Sequence, residues 1–329
     1  MYSTIMQEHV GLVTRGINNI YTVVEQDNSY LCRIKGKQLS SVSNEYNPLA
    51  VGDRVSFVVT GTKEGLILDR LERTNCFQRW NVKGNSNQTV VANMDMIVCV
   101  CSADSPPFRP RFIDRVIACS IGVEVMIVMN KSDILLTEDE FERFALYNKL
   151  GYTIRGVSAI TGDGLPEFVA LLKGKTVAFI GQSGVGKSTL INRILDVEQK
   201  IGDISEKYNR GKHTTNYSLM IDGPDFTLVD TPGVREILVP HGDPQRIAQS
   251  FPEFLEPAKK CAYDHCLHNE EPDCEVKRLL EEGKIHYDRY DSYVRMLASL
   301  GVKGPEWMGK SDQSRERYRN MDKHEQEEY

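Results

Sequence analysis

The chain has 329 residues, 40% of them apolar and 26% charged, with a formal net charge of −6. That length allows two or three domains, each with its own core, and the acidic balance excludes a polycation that binds nucleic acid over its whole surface. No apolar run approaches the ~20 residues that span a bilayer. The N-terminus lacks a basic stretch followed by an apolar one, which predicts no signal peptide, no membrane partner and a cytoplasmic location.

Residues 1–72 read as short strands between turns: "HVGLVTRG", "IYTVVEQ", "SYLCRIKG", "VGDRVSFVV" and "GLILDRL". Alternating apolar and polar residues with Gly and Asn-Pro punctuation predict a small antiparallel β-barrel, either an OB-fold or an SH3-like barrel. From about residue 73 to 250 strands alternate with helices. The strands "MDMIVCV", "VEVMIVMN", "YTIRGVSA", "TVAFIG" and "FTLVD" are separated by helical stretches such as "RPRFIDRVIACSI", "TEDEFERFALYNKL" and "KSTLINRIL". That rhythm predicts an α/β domain built on a largely parallel sheet, with ligands beyond the carboxyl ends of its strands. Residues 251–329 hold a Cys/His cluster, then helical pattern, then a polar tail whose last fifteen residues are read as disordered.

The sharpest signal is "GQSGVGKS" at 181–188, a full G-x-x-x-x-G-K-[ST] between a strand and a helix. Its glycines let backbone N–H groups of Gly181, Gln182, Ser183, Gly184, Val185 and Gly186 curl around phosphate oxygens. Lys187 then reaches the β- and γ-phosphates, the Ser188 hydroxyl binds Mg²⁺, and Thr189 continues the helix start. "DTPG" at 230–233 ends the strand "FTLV". There Asp230 can hold Mg²⁺ through water, and the Gly233 amide can reach the third phosphate. Between the two lies the loop "YNRGKHTTNYSL", in which either Thr214 or Thr215 can complete the Mg²⁺ shell; sequence does not choose between them.

"NKSD" at 130–133 supplies a base reader. The Asp133 carboxylate can accept from guanine N1–H and N2 amine together, a donor pair that adenine lacks. Asn130 can tie the guanine edge to neighbouring loops, and the Lys131 stem can lie over the base. "VSA" at 157–159 follows the next strand, placing Ser158 beside the base and a backbone donor at Ala159 near guanine O6. The order 130, 157, 181, 214, 230 puts base reader before phosphate loop, which is the usual GTPase series rotated. A fold needs its contacts rather than a particular chain start, so the sheet tolerates that rotation.

Cys261-x4-Cys266-x-His268-x5-Cys274 offers three thiolates and an imidazole, a closed tetrahedral shell suited to one structural Zn²⁺. His265 lies in the same stretch and is an alternative to His268.

Taken together, the barrel, "NKSD", "VSA", "GQSGVGKS", "RGKHTT", "DTPG" and the Cys261/Cys266/His268/Cys274 knuckle resemble the circularly permuted GTPases of the RsgA/YjeQ type, over essentially the whole chain. The resemblance implies an OB-fold at the N-terminus and a monomer that cycles between GTP and GDP. It implies hydrolysis stimulated by the 30S ribosomal subunit during its maturation, and contact with 16S rRNA through the flanking domains. Many GTPases orient the attacking water with a Gln just after D-x-x-G; Val234 stands there and cannot. His213 is therefore the candidate catalytic residue beside Lys187, and the resemblance supports a histidine in that loop. The alternative is a nucleotide-dependent RNA-binding module whose hydrolysis is incidental.

Overall fold

The computed structural model describes residues 7–36, 39, 45–199, 218–233 and 237–303. They divide into two compact units, one within residues 1–109 and 119–240, the other within 110–118 and 241–329.

The first unit begins with a barrel of β1 (Glu8–Ile17), β2 (Ile20–Glu25), β3 (Asn28–Ile34), β4 (Arg54–Gly61) and β5 (Glu64–Arg70). These strands pair in the order β1-β2-β3-β5-β4, and β4 returns to β1, closing the barrel. Strands β3 and β5 are parallel. That circuit decides between the two barrels left open by the sequence in favour of an OB-like one. Alternate side chains (Val13, Val23, Cys32, Val55, Phe57 and Ile67) fill the interior, as a period-2 pattern requires.

A charged lock ties the barrel to the first residues of the α/β segment. The Asp53 carboxylate, fully buried, accepts from Arg73 at 2.7 and 2.8 Å. Arg73 also donates to Glu45 at 2.9 Å and to the Thr89 hydroxyl at 2.7 Å. Burial alone would raise the Glu45 carboxyl, but Arg70 and Arg73 outweigh it and hold it below the ordinary carboxylate range.

Next come β6 (Cys76–Asn81), β7 (Ser86–Ala92), β8 (Met96–Ser102), α1 (Pro110–Cys119), β9 (Ser120–Ile121), β10 (Glu124–Asn130), α2 (Glu138–Lys149) and β11 (Thr153–Gly156). They are succeeded by α3 (Leu165–Ala170), β12 (Thr176–Gly181), α4 (Lys187–Gln199), β13 (Leu219–Asp222) and β14 (Thr227–Asp230). The sheet runs β11-β10-β8-β12-β14-β13. Its first five strands are parallel, and β13 is antiparallel at the end. Every residue of β8 is buried, the expected state of a parallel strand covered on both faces. Below the strand ends, Phe168, Phe179, Leu190, Ile191 and Ile194 belong to one core cluster.

Three features depart from the sequence reading. A hairpin, β6 and β7, precedes the first parallel strand and forms a separate three-stranded sheet with β9. The helix expected over 109–121 stops at Cys119, and Ser120–Ile121 pairs with β6 instead. Strand β13 joins β1 through the Arg15–Leu219 pair, so barrel and α/β sheet are continuous.

The second unit packs α1 residues with α5 (Gln245–Gln249), α6 (Pro252–Ala258), α7 (Glu275–Glu281) and α8 (Tyr287–Ser299). Arg289 is 3% exposed and sits 4.3 Å from the Phe251 ring centroid. It pairs with Glu253 at 2.7 Å and with Asp114 from α1. Removing one partner from such a buried set costs ~3–5 kcal/mol because an uncompensated charge remains. Among the described residues no helix is long and apolar enough to cross a membrane.

Candidate nucleotide site and metal centre

The phosphate loop lies between β12 and α4. Gly181 ends a strand pressed so closely on β8 that a Cβ there would stand 2.8 Å from the Val100 carbonyl oxygen. Gly186 has φ +85°, and a Cβ there would meet the Asn130 amide at 2.5 Å. The loop is anchored from below, since Val185 is 1% exposed and belongs to the core cluster. Lys187, 6% exposed, opens α4 and donates to Asp230 at 2.8 Å and to the Thr231 carbonyl. The ammonium and the metal-binding carboxylate expected from sequence are thus brought together at the ends of adjacent parallel strands. Gly233 lies against the phosphate loop, where a Cβ would be 3.3 Å from the Ser183 Cα. Ser183, Gly184, Ser188 and Thr189 belong to the same loop and helix start, and all but Gly184, whose φ is +91°, carry exposed side chains.

The base-reading loops converge on the same place. Asn130 is 1% exposed at the end of β10. Its Nδ2 donates to the Val185 carbonyl at 2.8 Å, and its Oδ1 accepts from the Ala159 N–H at 3.1 Å. One amide therefore joins "NKSD", the phosphate loop and "VSA", three segments separated in the chain. The Ser158 hydroxyl donates to Asp133 at 2.6 Å, which orients the carboxylate. Lys131 donates to the carbonyls of Asp104 at 3.0 Å and Ser105 at 2.7 Å, so its stem crosses from "NKSD" to the loop after β8. Gln182 is buried, like Ser158. His213, Thr214, Thr215 and Val234 lie outside the described residues.

In the second unit, the Sγ atoms of Cys261, Cys266 and Cys274 and a ring nitrogen of His268 all lie within 4.8 Å of one another. Cys261 and Cys274 sulfurs are 3.9 Å apart, and His268 Nδ1 is 3.6 and 3.4 Å from them. A tetrahedral shell with metal–sulfur bonds of about 2.3 Å and metal–nitrogen bonds of about 2.0 Å requires separations of roughly 3.8 and 3.5 Å. The donor set therefore fits a single ion, and His268, not His265, is the nitrogen that faces it. Tyr290 donates to the His268 carbonyl at 2.7 Å. Glu271 accepts the N–H groups of Leu267 and Asn269, each at 2.8 Å. Burial pushes the Cys266 thiol up to about 12 and raises that of Cys274. Thiolates gathered here are costly unless a cation takes them as ligands.

The model of the RsgA GTPase domain matches residues 70–240, and that of the RsgA N-terminal domain matches 10–67. A "Small ribosomal subunit biogenesis GTPase RsgA" of Borreliella burgdorferi is 38% identical over 290 residues, covering 87% of this chain and 94% of the relative. The chain belongs to the RsgA GTPase family. A Flavobacterium psychrophilum protein of the same name is 35% identical, covering 87% of this chain and 92% of the relative. Among solved structures, YjeQ from Thermotoga maritima superposes with a TM-score of 0.66 at 28% identity, over 90% of this chain and all of its own. YloQ, described as a circularly permuted GTPase, matches in fold with a TM-score of 0.64 at 22% identity, over 93% of this chain and 99% of its own.

Within this RsgA-family site two contacts were invisible in the sequence. The Ala159 N–H, expected to meet the base, is held by Asn130. Arg193 of α4 donates to the Ala159 carbonyl at 3.1 Å. No motif marks Arg193; only its place two turns into the phosphate-loop helix could have drawn attention to it.

Proposed function

We propose that this GTPase binds GTP in the site formed by Asn130, Asp133, the loop 181–188, Asp230 and Gly233, and hydrolyses it to GDP and phosphate in association with the small ribosomal subunit during late maturation. The observation that carries the guanine reading is the Asn130 amide, which bridges base and phosphate loops at 2.8 and 3.1 Å despite their rotated order. The subunit assignment is supported by relatives named for small ribosomal subunit biogenesis. By chemistry and family, the partners are GTP and GDP, the 30S subunit and its 16S rRNA; the protein acts as a cytoplasmic monomer. We assign nucleic-acid contact to the barrel of residues 1–72 and the knuckle of 251–329, on either side of the GTPase segment 73–250. The reading as an RNA-binding module with incidental hydrolysis is not favoured, because the family is one of GTPases.

In the working site the phosphate loop presents N–H groups to the β- and γ-phosphates. Lys187 exchanges Asp230 and the Thr231 carbonyl for phosphate oxygens, which leaves the Asp230 carboxylate available. Ser188, Thr214 or Thr215 and, through water, Asp230 would hold Mg²⁺, which would supply charge neutralisation on the phosphates. Water attacks the γ-phosphorus as the bond to the β–γ bridging oxygen breaks, and GDP leaves. His213 is the proposed residue that orients the water. One Zn²⁺ held by Cys261, Cys266, His268 and Cys274 has a structural role, since four protein ligands leave no open position.

Asp133→Asn tests the base reading. The amide offers an acceptor and a donor in place of two acceptors, so the variant loses preference for guanine and gains it for xanthine nucleotides. Undiminished selectivity for GDP over XDP rules out Asp133 as the base reader.

A further inference from the structure

The loop from Val157 to Gly162 has a nearly closed hydrogen-bond account. The Val157 N–H goes to the Met129 carbonyl at 2.8 Å, and that of Ser158 to the Asp163 carbonyl at 2.9 Å. Ala159 donates to Asn130 at 3.1 Å, and Thr161 to the Ser158 hydroxyl at 3.1 Å. Gly162 donates to the Ser158 carbonyl at 2.9 Å. The Ile160 N–H has no partner among the described residues, and its residue is 73% exposed. An exposed backbone donor of this kind is satisfied by water and is available to a ligand that displaces it.

The same peptide unit is gripped from its other end. The Ala159 carbonyl and the Ile160 N–H belong to one planar trans peptide and point in opposite directions. Arg193 Nε holds that carbonyl at 3.1 Å, and its guanidinium lies 3.8 Å from where a Gly162 Cβ would stand. Among the described residues Arg193 has no carboxylate partner, so its hydrogen bonding is committed to this loop. The Asn130 bond fixes the preceding peptide and Arg193 the next one.

We propose that Arg193 is a positioning residue for guanine recognition: by holding the Ala159 carbonyl it turns the Ile160 N–H toward the base, where that N–H, rather than the Ala159 N–H, donates to guanine O6. This rests on the proposed base reading by Asp133 and deepens it. Asp133 selects the N1–H and N2 side, and the Ile160 peptide selects the 6-position. Because Arg193 sits on the helix that opens with Lys187, the phosphate-binding helix itself sets the base-reading loop.

The test compares equilibrium binding of GDP, 6-thio-GDP, IDP and ADP to the full-length chain, wild type and Arg193→Met. Sulfur at position 6 is the weaker hydrogen-bond acceptor, whereas IDP lacks only the N2 amine. One such hydrogen bond is worth roughly a fivefold to tenfold preference of the wild type for GDP over 6-thio-GDP. Arg193→Met brings that ratio below about twofold and leaves the GDP/IDP ratio unchanged, and Arg193→Lys recovers part of the first. If Arg193→Met weakens GDP and 6-thio-GDP equally, Arg193 only supports the fold and the proposal is wrong. A wild type that prefers GDP to IDP but does not distinguish GDP from 6-thio-GDP refutes the proposal while the Asp133 reading stands. Failure to prefer GDP to ADP removes both. Should Arg193→Met not fold, Arg193→Gln takes its place with the same expected ratios and outcomes, and Arg193→Lys remains the partial rescue.

Discussion

Asn130→Ala should uncouple the base and phosphate loops. The amide is 1% exposed and makes one donor and one acceptor bond to backbone groups, at 2.8 and 3.1 Å. Truncation leaves the Val185 carbonyl and the Ala159 N–H without partners. A buried polar group stranded in this way costs ~1–3 kcal/mol, and the small cavity adds about 1 kcal/mol. With two groups stranded the sum is roughly 3–7 kcal/mol if neither finds water, and the lower half of that range if the loops relax. Part of the loss appears as lower thermal stability and part as weaker nucleotide binding, since only the joined arrangement presents both half-sites. The expectation is a GDP affinity reduced by about tenfold to several hundredfold, or ~1.4–3.5 kcal/mol, measured by calorimetric titration alongside a thermal melt. Gly186→Ala approaches the same amide from the other side, where a Cβ would stand 2.5 Å away, and should act in the same direction. GDP affinity within threefold of wild type for Asn130→Ala would refute the view that this residue joins the two halves.

Purified protein should contain about one zinc per chain, and Cys274→Ser should lose the metal and the helical signal of the C-terminal unit together; a metal-free, fully folded preparation contradicts the knuckle. In the barrel lock, the Glu45 carboxyl is held low, so its stabilising contribution is present above its unfolded value near ~4.3 and disappears as pH falls through the folded value. Glu45→Gln should therefore lower the melting temperature at pH 7, by an amount corresponding to about 1–2 kcal/mol, and the gap from wild type should close in the acid range. An equal gap at neutral pH and in acid would show that packing rather than charge is responsible.

Much of the nucleotide site was legible because its chemistry is written in short contiguous words at strand ends. "GQSGVGKS" must be read as a unit, and Gly186 is glycine for reasons the structure makes explicit. The rotation of the motifs was equally visible, since order along the chain is what sequence displays best. Cys261, Cys266 and Cys274 were assignable by spacing, but the choice of His268 over His265 depended on which ring turns inward, a tertiary fact. The hairpin of β6 and β7 escaped detection because most of its residues are half-buried whichever face they lie on, so no clean alternation appears. Strand β13 has only four residues and owes its existence to neighbours β14 and β1. Helix α1 was correctly a helix, yet its side chains serve the C-terminal unit through Asp114, a pairing with Arg289 across 175 positions of sequence. The bond from the Ala159 N–H to Asn130 was hidden for the same reason, because backbone N–H groups are identical in every residue until partners distinguish them.

Dependence of this permuted GTPase on the small ribosomal subunit is tested most directly by steady-state phosphate release from GTP. The purified protein is assayed alone and with purified 30S particles, 50S particles or free rRNA. Because Val234 cannot orient water, hydrolysis by the protein alone should be slow, rising by roughly tenfold or more with 30S particles only. Equal rates with 30S, 50S and no addition, or a rapid intrinsic rate that 30S particles leave unchanged, would contradict it.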